Sequence, residues 1–218
     1  MADINSSIQI SKESQNVIDV RLKSAFTYSN WSDDELAAVR KEIRDFYRKE
    51  QKGICSYCRQ SLSLVSALNC HVEHIVPKSL HLDFIFTPKN LCVICADCNQ
   101  IKKEQETLGE IPQTMTKANS RKRYPISSRA FKIIHPHFDN YEDHILVLNG
   151  YYIDKGSKKG NFTIGACKLN RKLAAFGWEP EITNDKELIN NMNAYIEEDD
   201  SLKRTKHLSN LKKKLFNI

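Results

Sequence analysis

The chain has 218 residues, 40% of them hydrophobic, and a formal net charge of +6, which is enough apolar content for a packed core and excludes a disordered chain. No apolar run approaches the roughly 20 residues of a membrane-spanning helix, and the opening MADINSSIQISKESQNV lacks the basic start and apolar centre of a secretory leader. The expectation is a cytoplasmic protein with no membrane partner, whose seven cysteines stay reduced and whose mild basic excess is compatible with an acidic partner.

Residues 1–30 are polar and weakly patterned, which reads as an N-terminal arm that orders on a partner. The next stretch, WSDDELAAVRKEIRDFYRKEQKG, predicts a helix with both ends marked. Ser32 and Glu35 have capping-box spacing, Leu36, Val39, Ile43, Phe46 and Tyr47 make one apolar stripe, and Gly53 stops it. This helix and the cysteine and histidine block that follows it make up residues 31–108.

Within that block, NCHVEHIV and NLCVI predict two strands joined by the loop PKSLHLDFIFTPK, and CADCNQIKKEQET predicts a helix. The local order is strand, loop, strand, helix. Cys55, Cys58, Cys95 and Cys98 form two Cys-x-x-Cys pairs with 36 residues between Cys58 and Cys95. That spacing lets two tight turns aim four thiolates at one ion, and four thiolates leave no open position for water, so the expected ion is a structural zinc. The alternative is four buried thiols without metal. Cys70, Cys92 and Cys167 read as small buried hydrophobes, although spacing alone lets Cys92 replace Cys95.

Between the pairs lies HVEHIVPKS, residues 71–79. Strand alternation puts His71 and Glu73 on one face and Val72 and His74 on the other, but adjacent residues at a twisted strand end can still reach a shared site. A histidine is a natural general base for activating water, and a carboxylate with an amide oxygen suits magnesium. Asn99, directly after Cys98, supplies the amide. His71 is a further metal ligand or a histidine held by a hydrogen bond.

Together CSYC, HVEHIVPKS and NLCVICADCNQIKK resemble the zinc-stapled HNH endonucleases, over about residues 54–106. The resemblance implies an α+β chain with a ββα-metal core stapled by a four-cysteine zinc site, flanking helices and a small C-terminal α/β region. It implies phosphodiester hydrolysis of nucleic acid, with DNA favoured, using one Mg2+ or Mn2+ besides the Zn2+. Carried over, His74 is the general base, Glu73 and Asn99 hold the catalytic ion, Asn90 ties the loop to the backbone and orients the base histidine, and Lys102 or Lys103 touches phosphate. Many members carry aspartate where this chain has Glu73, which changes the reach to the ion.

Residues 109–132 read as a basic, irregular linker. From Lys117 to Lys132 there are six basic residues and no acidic one, so Arg121, Lys122 and Arg123 face phosphate or simply water. Residues 133–218 read as a C-terminal region with strands, turns at LNGYY and KGSKKGN, and a basic terminal helix whose Leu202, Leu208, Leu211 and Leu215 either dock a partner or fold onto their own domain. The cluster His135, His137, Asp139, Asp143 and His144 invites a second metal site, against which stands a structural corner.

With the first helix and TIGACKLNRKLAAF, this region is similar to the HNH-nuclease subunit of Septu-type and retron-linked anti-phage systems. That likeness implies an ABC-type ATPase partner and, in retron complexes, a reverse transcriptase with its RNA and DNA. The rival readings are a zinc-stapled module that binds nucleic acid without cutting it, and a stand-alone restriction-type nuclease.

Overall fold

The computed structural model describes residues 2–109, 123–148, 150–177 and 186–216. Arg121 and Lys122 lie outside the described residues. Among those described are seven helices and two small antiparallel sheets, an α+β composition. No described helix is long and apolar enough to cross a membrane. The chain divides into two compact units, residues 1–141 and 142–218, so the boundary falls beyond the expected linker.

In the first unit, helix α1 spans Lys12–Leu22 and α2 spans Ala37–Glu50. Four members of the α2 stripe, Leu36, Val39, Ile43 and Tyr47, are fully enclosed, each aliphatic one contributing about 1.5–3 kcal/mol, while Phe46 is half-buried. Its start differs from expectation. Ser32 ends a short 3-10 turn, Tyr28–Ser32, and a second turn, Asp34–Leu36, leads into the helix, so the capping box falls at Thr27 and Asn30 instead of Ser32 and Glu35. The end is as read: Gly53 takes φ of +69° and its N–H donates to the Arg48 carbonyl, a left-handed stop that favours glycine.

Residues 1–30, expected as an arm for a partner, are stitched into this unit. Ile4, Ile8 and Ile18 are buried. The Asn5 and Ser6 amides donate to Glu50, and Ser11 donates to Glu42 through both its amide and its hydroxyl. Glu42 also accepts from the Ser14 hydroxyl, and these serine donors hold its carboxyl below its usual range despite its burial. Irregularly spaced isoleucines at 4, 8, 10 and 18 hide this packing, because the segment lies partly extended and its polar groups are satisfied by α2.

Strands β1, His71–His74, and β2, Leu91–Ile94, pair antiparallel, with His74 opposite Leu91 and Glu73 opposite Cys92. Helix α3, Ala96–Lys102, follows directly. Gln51, just past α2, ties the helix to this hairpin: its amide oxygen accepts from the Val93 N–H and its Nε2 donates to the Val93 carbonyl. The second half of the expected linker is packed, with Ala130 and Phe131 buried beside Val76, Phe84 and Leu108 and Phe131 bridged to Leu108.

In the second unit, β3, Ile145–Leu148, pairs with β4, Tyr151–Asp154. Helix α4, Lys158–Ala166, starts where KGSKKGN reads as a turn: the Ser157 hydroxyl caps it by accepting the Gly160 N–H. Helices α5, Arg171–Phe176, α6, Lys186–Glu197, and α7, Ser201–Phe216, complete the unit. Leu208 and Leu211 of α7 pack into the unit's own core with Tyr151, Ile153, Met192 and Tyr195, while Leu202 is exposed. The α7 stripe is thus used within its own unit; the Leu215 side chain is outside the described set.

Candidate active site

The four cysteines of the two pairs meet. Their sulfurs lie within 4.8 Å of one another and all four residues are buried, while Cys92 is not in the group. Four thiolates at a zinc–sulfur distance of about 2.3 Å around one ion need sulfurs just under 4 Å apart, and Cys58 Sγ is 3.6 Å from Cys95 Sγ. Backbone amides support the sulfurs: the Cys95 N–H points at Cys55 Sγ and the Cys98 N–H at Cys95 Sγ. Donation from Cys55, Cys58 and Cys98 drives the Cys95 thiol down, and burial drives Cys55 up. A group that favours a thiolate in a closed pocket of sulfur is a site that can hold a structural zinc.

Beside the quartet, the hairpin and α3 line a cavity of about 440 Å³. Glu73 and His74 from β1, Asn99 and Lys103 from α3 and Lys78 from the loop line it together with Glu104. Adjacent strand residues share the cavity because β1 ends at His74: the next amide, Ile75 N–H, donates to the Asn90 carbonyl and the chain turns away.

Asn90 builds that turn. It is fully buried, its Oδ1 accepts the Val76 N–H at 2.7 Å, and its Nδ2 reaches the Val76 and Phe84 carbonyls, each at 3.1 Å. One side chain therefore closes the loop from residue 76 to 90 as a β-bridge would. Asn90→Ala leaves three buried backbone groups without partners, at about 1–3 kcal/mol each, so a loss of at least about 3 kcal/mol is expected in urea unfolding. A loss under about 1 kcal/mol, the lower end for a single such group, would show that the loop holds itself.

His74 is 6% exposed. Its Nε2 lies 3.0 Å from the Ile85 carbonyl; a carbonyl only accepts, so Nε2 carries the proton and Nδ1 keeps the lone pair. The edge of the Trp31 ring packs on the imidazole with centroids 4.5 Å apart. Burial, with Lys78 and then Lys102 nearby, pushes the imidazole down to about 3; an anion in the cavity raises it toward the range of a working base. Burial likewise lowers His137, whose Nε2 pairs with the Leu91 carbonyl opposite His74.

These two histidines predict an acid limb in stability. Unfolded histidine takes a proton near 6.5, whereas folded His74 resists it to about 3, so the unfolded state holds more protons in between. Their contribution is intact above about 6.5 and is lost progressively as pH falls from there, by about 2 kcal/mol for His74 at pH 5, with His137 acting in the same direction. Urea midpoints at pH 7 and 5, measured without magnesium or nucleic acid, are expected to fall less in His137→Gln than in wild type; equal falls would remove His137 from the account.

Lys102 differs from expectation. Read as a phosphate contact, it is fully buried. Its Nζ sits 2.5 Å from Glu73 Oε1 and 3.2 Å from the His74 carbonyl, and the Tyr57 hydroxyl donates to the same Glu73 oxygen. The signal was present in the sequence: Asn99 and Lys102, three apart, share a helix face, so both turn toward β1. Lys103, at the end of α3 with φ of +48°, lines the cavity instead. Lys78 was missed as a site residue, and Trp31 could not be assigned to His74 from spacing. Arg123 is exposed and does not line the cavity. His71 Nε2 is held by the Leu68 carbonyl.

The second histidine cluster is a structural corner. His135 Nε2 meets the Tyr124 hydroxyl, its N–H donates to Asp139, and Asp139 also accepts the Ser128 hydroxyl. Asp143 and His144 fall in the other unit, where His144 Nδ1 pairs with Ser157 Oγ. Among the described residues the cysteine quartet is the metal-capable group of such side chains that the structure forms. Compared with models of protein families, with curated proteins and with solved structures, the chain matches none.

Proposed function

We propose that the chain is a metal-dependent HNH endonuclease that hydrolyses phosphodiester bonds, with DNA the favoured substrate. The observation that carries the reading is the meeting of Glu73, His74 and Asn99 around one cavity whose rim adds Lys78 and Lys103. Glu73 offers a carboxylate and Asn99 an amide oxygen, a hard donor pair that fits magnesium or manganese. Bound there, the ion would stabilise charge on the scissile phosphate and the leaving oxygen.

The protein's own residues do the rest. The Ile85 carbonyl fixes the His74 tautomer and leaves Nδ1 to take the proton of an attacking water. Trp31 and the Asn90 loop hold the ring against rotation. Lys78 and Lys103 draw in the phosphate and, by bringing its negative charge to His74, give the imidazole the basicity that burial denies it. The zinc site ties the Cys55–Cys58 turn to the junction of β2 and α3 and takes no part in the reaction.

The sequence likeness to Septu-type and retron-linked nuclease subunits supports a role as effector beside an ABC-type ATPase, with a reverse transcriptase and its RNA and DNA in retron-like assemblies. The test is incubation of full-length, zinc-loaded protein with plasmid DNA, single-stranded DNA and RNA in magnesium or manganese, alone and with its ATPase neighbour. Cleavage that stops on chelation of the added ion supports the reading. Retention of nucleic acid without cleavage in every arm replaces it with a binding module.

A further inference from the structure

Lys102 is an unusual residue to bury, since an ammonium out of water is costly unless paired and hydrogen-bonded. Here it is 0% exposed, paired to Glu73 and bonded to the His74 carbonyl. The carboxylate that would meet a divalent cation is therefore already neutralised from behind. Both of its donors, Lys102 and Tyr57, converge on Oε1, which leaves Oε2 as the oxygen for a cation.

The surroundings add to this. The cavity lining and Lys102 bring three ammonium groups, Lys78, Lys102 and Lys103, against two carboxylates, Glu73 and Glu104. A lone dication entering such a cavity meets net like charge at short range and in low dielectric. A phosphodiester reverses the balance, because each phosphate adds a negative charge and its own oxygen ligands.

We infer that Lys102 is a positioning residue that gates metal loading: it holds Glu73 as an internal counter-ion, so that the divalent cation and the nucleic acid enter together and neither binds well alone. This rests on reading the cavity as a nuclease site. Linkage makes the effect reciprocal, the ion raising nucleic-acid affinity by the factor by which nucleic acid raises the ion's. The consequence for function is a nuclease whose site stays empty of metal in the absence of substrate.

The probe is Mn2+, titrated into full-length zinc-loaded protein and read from the electron paramagnetic resonance of the free ion. A His74→Ala background slows cleavage beyond the time of the titration, and DNA and RNA oligonucleotides of one sequence are compared. With Lys102 present, oligonucleotide is expected to tighten Mn2+ at least tenfold. Lys102→Met, similar in length and uncharged, is expected to tighten Mn2+ at least tenfold in the free protein and to shrink the oligonucleotide effect below threefold; Lys102→Arg keeps the coupling.

If Lys102→Met binds Mn2+ no more tightly than its parent while oligonucleotide still tightens it, the gate is overturned and the metal site stands. No Mn2+ binding in any variant, with or without oligonucleotide, overturns the nuclease reading itself. Zinc content and melting temperature report whether Lys102→Met folds. Should it not fold, the parent decides: equal Mn2+ affinity with and without oligonucleotide overturns the gate, and coupling that survives in Lys102→Arg supports it.

Discussion

His74→Ala is expected to lower the rate of phosphodiester cleavage by about 10²–10⁴-fold, the usual range for a general base, with zinc content unchanged. The expectation follows from the position of one nitrogen. With Nε2–H committed to the Ile85 carbonyl, Nδ1 has no other task than to accept a proton, and alanine removes it without touching Glu73 or Asn99. The metal donors and the lysines that draw in phosphate remain, so nucleic-acid affinity should change less than threefold.

Two controls separate chemistry from packing. Alanine also removes the ring that Trp31 packs against, so a fall in melting temperature accompanies the loss. Trp31→Phe keeps an aromatic edge at that position and is expected to retain most activity, whereas Trp31→Ala frees the imidazole and lowers kcat more than it raises KM. Cleavage by His74→Ala at the wild-type rate would remove His74 as the base.

Much of this architecture could be read from residues, and the limits are physical. The two Cys-x-x-Cys pairs, the strand, loop, strand, helix order and the inward α2 stripe follow from short-range spacing, which fixes which side chains share a turn or a face. Asn90 as the closure of its loop was legible only through a resemblance, because nothing in the local pattern near Asn90 says that Val76 and Phe84 lie within its reach. Lys102 shows the reverse error. The resemblance makes it a phosphate contact, yet the helix phase shared with Asn99 aims it at Glu73, and charge pairing in the interior decides the outcome. The N-terminal 30 residues read as an arm because their partners, Glu42 and Glu50, lie far along the chain, where no periodicity can reveal them.

The largest effect expected is from the zinc site. Cys95→Ser should abolish stoichiometric zinc and with it cooperative unfolding of the first unit. Cys95 has two roles: its sulfur caps α3 by accepting the Cys98 N–H, and it lies 3.6 Å from Cys58 Sγ within the quartet. Apparent zinc binding energies in small Cys and His sites are about 10–16 kcal/mol, comparable with the whole stability of a domain, about 5–15 kcal/mol. Loss of the ion therefore has no reserve to draw on. Without it the Cys55–Cys58 turn and the β2–α3 junction lose their common anchor, the cavity opens, and cleavage is lost along with the fold.

Cys92→Ala serves as the control. It removes an equally buried sulfur that is not in the quartet, so it should keep one zinc per chain and cost only about 1–2 kcal/mol for the lost packing. Metal analysis and thermal melting with and without a chelator read both variants. A wild-type chain without zinc, or a Cys95→Ser variant that holds zinc as tightly as wild type, would mean that the quartet is a cluster of thiols and that packing alone positions Glu73, His74 and Asn99.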